Sequence, residues 1–394
     1  MMTSGRFAKL FLFLLCNLLF LIYTSDGTLS KSDKDKKKQQ QKLKENKQGG
    51  SGIVDPAIAY VDILKNYFRV DYGESKKFLN PVLAYVTPWN NHGYDVAKFL
   101  AHKFTHVAPV WFQVNFNEDM NECVLGGVHD LDQGWITDVK KNNSVIKIVP
   151  RFLFERWTPT DFQRLLTYEE DQNRCAQVIL DFIERNRFDG AVVEIWVQMQ
   201  ATLRGHGAKE LVPLVINLAE HFSNRDKQFI LTVPPTLGAS NDHRRMFSPE
   251  HFIQLSPYVD YFSVMLYDFP GEKPGPVAPI NWVRQNLETL IDARPDARKK
   301  IMMGMNFYGY DYHPMGSNVE AVTGPQYIRL LDAVKPDIMW NKYGAEHYFL
   351  YKGHLIYFPT LSSLDMRLNL AQELGVGVAI WETGQGLDYF YNLF

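Results

Sequence analysis

Cysteine is scarce in this chain, with three residues in 394, at positions 16, 123 and 175. So few cannot build a disulfide framework in place of a core. Neither C-x-x-C nor H-E-x-x-H occurs, and the 11 histidines are scattered without ligand spacing, so no metal is expected. No G-x-G-x-x-G follows the first apolar strand-like run, which removes the usual support for a dinucleotide site, and no cofactor is implied. Past residue 23 no apolar run approaches the ~20 residues a bilayer span needs, so the mature protein is expected to be soluble, with no membrane span.

The amino terminus is what such a protein would shed. Arg6 and Lys9 precede an almost unbroken apolar run from Leu10 to Tyr23, followed by small and polar residues. This is the pattern of a signal peptide over 1–27, with a signal anchor as the alternative. From Lys31 to Gly52 eight lysines face three acids and almost nothing apolar. Such a stretch buries too little to offset the entropy of ordering, so 28–55 reads as a disordered basic linker. With +1 on residues 1–30 and +5 on this stretch, the chain's −2 leaves −8 on residues 53–394. An acidic body excludes nucleic acid as the expected partner. Cys123 and Cys175 then remain as either a disulfide in an oxidising compartment or two buried thiols. Asn142-Asn143-Ser144 is a glycosylation sequon, which fits a secretory route to the outside or to the lysosome.

The body is 46% hydrophobic across the chain, enough for one large core or two ordinary ones. Its rhythm decides between them. Eight short β-branched and aromatic runs recur: VLAYV, THVAPVW, VIKIVPRF, FDGAVVEIW, FILTV, YFSVML, IMMGMNF and VGVAIW. Between them lie helical spacings such as Cys175, Val178, Ile179, Phe182 and Ile183, or Leu211, Leu214, Val215 and Leu218. Strands apolar on both faces, alternating with helices eight times, predict an α/β fold of the (β/α)8 TIM-barrel type over residues 56–394, with an open doubly wound sheet as the alternative because periodicity does not give strand order. The longest connection, between the seventh and eighth strands, alternates apolar and polar residues with Gly344 and Gly353 at turn positions. It predicts a small β-rich insertion over about 313–360, then a helix from about Leu361 to Leu374.

On these strands sit fragments that resemble the family 18 glycoside hydrolases, the chitinase-like proteins. FDGAVVEIW, Phe188 to Trp196, resembles their fourth strand, whose motif D-x-x-D-x-D-x-E ends in the catalytic glutamate. Laid over it, Asp189 keeps the first aspartate, Val192 replaces the second, Glu194 stands at the third and Trp196 occupies the glutamate position. YVTPW at Tyr85–Trp89, MLYD at Met265–Asp268, GMNFYG at Gly304–Gly309 and IWETGQG at Ile380–Gly386 resemble the first, sixth, seventh and eighth strands.

The resemblance implies substrate-assisted hydrolysis in which a protonated glutamate donates to the glycosidic oxygen. An indole N–H cannot lose its proton to a leaving alkoxide, so Trp196 implies a chain without a catalytic residue. Strand alternation is expected to point Val192, Glu194 and Trp196 into the barrel, with Glu194 roughly 6.6 Å deeper than the acid's position. A non-catalytic lectin binding chito-oligosaccharide or related glycans, as in innate glycan sensing, is the resulting expectation. Trp381 would form the floor under a sugar ring, Tyr267 and Asp268 would contact its acetamido group, and Tyr85, Trp89, Trp196, Tyr308 and Trp340 would extend the platform. Glu194 and Glu382 are candidate polar contacts, against the plainer readings of structural hydrogen bonding and a solvated loop, and Asp189 reads as architectural. Two other expectations stand beside the lectin. One is an active hydrolase with Glu194 or Glu382 as a displaced acid; the other is a protein-interaction module read by a stabilin-type sorting receptor.

Overall fold

The computed structural model describes residues 54–73, 75–117, 122–204, 208–238, 246–314 and 318–394. The signal segment 1–27 and all but the last two residues of the linker 28–55 lie outside them.

Eight parallel strands close into a barrel. In chain order they are Val82–Val86, His106–Pro109 continuing as Phe112–Asn117, Lys147–Ile148 continuing as Arg151–Phe154, Gly190–Glu194, Gln228–Val233, Tyr261–Val264, Ile301–Asn306 and Gly377–Trp381. The first strand pairs with the eighth in the register Val82 to Val378, and the halves of the second pair with the halves of the third, so the ring has no open edge. Alternation then sorts the side chains. Leu83, Tyr85, Ala108, Val110, Val149, Val192, Ile230, Met302 and Ala379 fill the barrel. Their neighbours Val82, Ala84, Ala191, Val193, Phe262, Val264, Val378 and Ile380 pack outward under the helices.

The helices follow the apolar spacing. Glu169–Arg185 buries Cys175, Ile179, Phe182 and Ile183, and Leu211, Leu214, Val215 and Leu218 are buried on the helix Ala208–Ser223. After the second strand the chain turns back as Glu122–Gly126, antiparallel to Phe112–Asn117. Cys123 on that ribbon is joined to Cys175 by a disulfide across a Cα separation of 5.2 Å. Asp189 sits at the lower end of the fourth strand, accepting from the Ile148 N–H and pairing with Lys140 and Lys147.

The insertion is larger than its expected bounds. It begins with Gly309–Tyr312 and forms a five-stranded antiparallel sheet with Val319–Val322, Met339–Asn341, Glu346–Tyr351 and His354–Phe358. It also carries a helix, Gly324–Val334, capped by Thr323 and Gln326. The following helix spans Leu361–Leu374. Its Arg367 reaches the insertion's Glu346 at 2.8 Å, and both are buried. Glu346 accepts further from the N–H groups of Val277 and Ala278. A buried pair so saturated fixes orientation more than it adds stability. Among the described residues no helix is long and apolar enough to cross a membrane.

Candidate functional site

The carboxyl ends of the strands, where barrels of this kind build their functional face, bring together several residues singled out above. Trp381 ends the eighth strand and is half-buried. Tyr85, one strand over, meets it edge to face at 5.2 Å, and the Arg151 guanidinium lies 6.0 Å from its ring. Glu194 ends the fourth strand and points inward: its Oε2 accepts from Arg151 at 3.0 Å and its Oε1 from Gln198 at 2.9 Å. Among the described residues, Arg151 Nε and Gln198 Oε1 are buried without hydrogen-bond partners. Buried polar groups left this way carry a free-energy cost that an ordered water would remove.

A second wall follows the sixth strand. Asp268 adopts a left-handed φ of 56° and accepts from the hydroxyls of Tyr308 and Tyr310. Burial pushes its carboxyl above the usual range, against the two tyrosine hydrogen bonds that favour the charged form. Tyr267, half-buried, meets Tyr308 edge to face at 6.4 Å. Tyr267 and Trp381 both border the cluster of Tyr308, Tyr310, Tyr357 and Val277. The two walls are thus continuous.

Other expected residues fall elsewhere. Trp196 does not face the barrel interior. Ile195 leaves the extended conformation, at φ −127° and ψ −31°, and Trp196 begins a helix, so the strand's alternation ends one residue too early. Its side chain is fully buried in the outer layer, against Phe247 and His251, with the indole N–H donating to the Met246 carbonyl at 2.8 Å. It offers no platform to a sugar. Tyr85 is also buried, its hydroxyl 2.9 Å from Ser263 Oγ, and Tyr308 is buried, so both support the surface from beneath. Trp340 packs on His347 at 4.5 Å. Its neighbour Asn341 reaches the Tyr357 hydroxyl, so alternation turns Trp340 to the sheet face opposite the tyrosine cluster. Trp89 is 45% exposed on the loop after the first strand.

Glu382, expected on the rim, is fully buried. It accepts from Asn90 Nδ2 at 2.6 Å and from the Gly384 N–H at 2.8 Å, across a loop that follows a cis Trp381–Glu382 peptide. Burial pushes its carboxyl up to about 8 in spite of these bonds. Asn142, the last residue of the helix Gln133–Asn142, is exposed.

Sequence reasoning missed Arg151, Gln198 and Tyr310. For Arg151 a signal was present, since a lone arginine inside VIKIVPRFLF needs a buried partner. Gln198 and Tyr310 carried none, because they reach the site through a helix turn and through the insertion's register.

Comparison with known proteins accords with the barrel fold. The model of the glycosyl hydrolases family 18 matches residues 81–386. A cortical fragment-lytic enzyme of Bacillus subtilis is 30% identical over 138 residues, covering 32% of each protein, so the chain spans about a third of that relative's length. A chitinase from Chromobacterium violaceum superimposes with a TM-score of 0.67 at 19% identity, covering 80% of this chain and 98% of that one. A chitinase from Cycas revoluta, solved in complex with (GlcNAc)3, gives 0.65 at 14% identity, covering 79% and 98%. The structural likenesses speak for the fold. The family model spans more than three quarters of the sequence, and on that match this chain belongs to glycosyl hydrolase family 18.

Proposed function

We propose that the protein is a non-catalytic glycan-binding member of its family, with Trp381 as the central stacking residue for a chito-oligosaccharide or related glycan. The observation that carries this reading is the half-buried indole of Trp381 at the mouth of the barrel, with the Arg151 guanidinium 6.0 Å from its ring and the tyrosine cluster of the second wall beside it. Pyranose rings present apolar C–H faces to an aromatic plane and need only a few fixed polar contacts beside it.

Three features support binding without turnover. The position of the family's acid is an indole turned away from the barrel. Glu194 has both oxygens engaged. Glu382, which burial makes a weak acid, has no exposed surface from which to reach a substrate. The Cys123–Cys175 disulfide supports passage through an oxidising secretory compartment toward secretion or the lysosome. An exposed Asn142 in its sequon supports glycosylation on the way.

Calorimetric titration with N-acetylglucosamine oligomers tests the site. Trp381→Ala is expected to weaken binding at least about tenfold, or ~1.4 kcal/mol; equal affinity in the variant would remove the assignment. Hydrolysis abolished by Glu194→Gln or Glu382→Gln would favour the displaced-acid enzyme. A glycan array without hits, alongside capture of a stabilin-type receptor, would favour the interaction module.

A further inference from the structure

On the face of the insertion sheet opposite the tyrosine cluster, two histidines and two carboxylates converge. In the antiparallel pairing of Gly309–Tyr312 with His354–Phe358, Asp311 faces Ile356 and Tyr312 faces Leu355. One step further, His313 stands against His354, with ring centroids 4.8 Å apart at 51°. On the other side of the same strand Asp311 faces Glu320. Alternation therefore places Asp311, His313, His354 and Glu320 on one face, while Tyr310 and Tyr312 occupy the other. His354 Nδ1 lies 2.9 and 3.1 Å from the Asp311 oxygens, and His313 Nε2 lies 3.4 Å from Glu320 Oε1. One donor atom from each of Asp311, His313 and His354 falls within 4.8 Å of the others. All three side chains are partly exposed, so the cluster is open to an ion from solution.

We infer that Asp311, His313 and His354 form a binding site for a divalent transition ion of the zinc type. Two imidazoles and a carboxylate are the donor set such ions prefer, whereas calcium and magnesium require a shell of oxygens. A tetrahedral ion with bonds of ~2.0–2.2 Å holds its ligands roughly 3.3 Å apart. The donors need to close by at most about 1.5 Å, which side-chain rotation supplies while the strand ladder holds the backbone. Glu320 or water completes the shell. No spacing in the sequence signals this site, because His313 and His354 are far apart in the chain and meet only through the register of two strands. The ion would tie the strand whose reverse face carries Tyr310, a partner of Asp268, to the hairpin that turns at Lys352 and Gly353, and so stiffen one wall of the barrel mouth.

The test uses the full chain, freed of metal by chelation and titrated calorimetrically with zinc chloride and, separately, calcium chloride. Saturable one-site zinc binding is expected, with no heat from calcium. His313→Gln, His354→Gln and Asp311→Asn should each weaken zinc at least about tenfold, while His129→Gln, at an exposed histidine elsewhere, leaves it unchanged. Because these variants disturb a sheet, the wild-type chain loaded with cobalt provides a second reading, the visible ligand-field bands of a four-coordinate nitrogen and oxygen site. Failure of wild-type protein to bind zinc saturably, absence of those bands, or zinc affinity indifferent to the paired His313→Gln and His354→Gln changes would overturn the proposal.

Discussion

Changing Trp196 to glutamate would complete the last position of the family motif, yet the geometry predicts that it breaks the protein instead of activating it. The indole is fully buried in the outer layer, packed on Phe247 and His251, and its N–H satisfies the Met246 carbonyl. Removing a core tryptophan costs about 3–5 kcal/mol. Burying a carboxyl there without a designed partner, and orphaning the Met246 carbonyl, adds about 1–3 kcal/mol. A loss of about 4–8 kcal/mol is comparable with the whole stability of a typical domain, about 5–15 kcal/mol. Urea unfolding followed by far-UV circular dichroism should show Trp196→Glu with a midpoint far below wild type, or no folded protein, while Trp196→Phe, which keeps most of the apolar volume, loses much less. The variant should release nothing from a fluorogenic chito-oligosaccharide. A Trp196→Glu protein with the wild-type midpoint, or one that hydrolyses the glycoside, would refute the assignment of this side chain to the outer layer.

Two further predictions concern the carboxylates. Glu382 has a folded-state value of about 8, raised by burial above its ordinary 4.5. The folded state therefore holds this proton more tightly than the unfolded chain. The stabilisation is complete below about pH 4.5 and is lost as the pH rises toward 8, at up to about 1.4 kcal/mol per pH unit. Glu382→Gln should flatten the fall in urea midpoint between pH 5 and 8; parallel curves for variant and wild type would contradict this. Arg151→Met should destabilise by about 3 kcal/mol by stranding a mostly buried Glu194, and the double change of Arg151 and Glu194 to methionine should recover part of the loss. A double-mutant cycle with no coupling would show that the pair does not act as one.

The barrel was legible because its signal is repeated: eight apolar runs of strand length, separated by helices, leave little else for the chain to do. The helix Leu361–Leu374 fell where its spacing put it, and Gly353 at a φ of 84° marks the hairpin turn its position implied. The insertion's start was missed by four residues because Gly309–Tyr312 continues the apolar seventh strand without a break in pattern. Trp381, Tyr267 and Asp268 do share the mouth of the barrel. Trp196 misled because period-two alternation was extended two residues beyond the strand, where the backbone had already turned into a helix. Glu382 misled for a different reason. A glutamate in a glycine-rich stretch reads as solvated, and only the closure of the loop onto Asn90 buries it.

Binding without turnover is tested by incubating purified protein with a tetramer of N-acetylglucosamine at a concentration that calorimetry shows to be saturating, then resolving the sugar by mass spectrometry. Heat of binding is expected, with the tetramer recovered intact after prolonged incubation. Shorter oligomers accumulating in proportion to protein concentration, and disappearing with Glu194→Gln or Glu382→Gln, would contradict it.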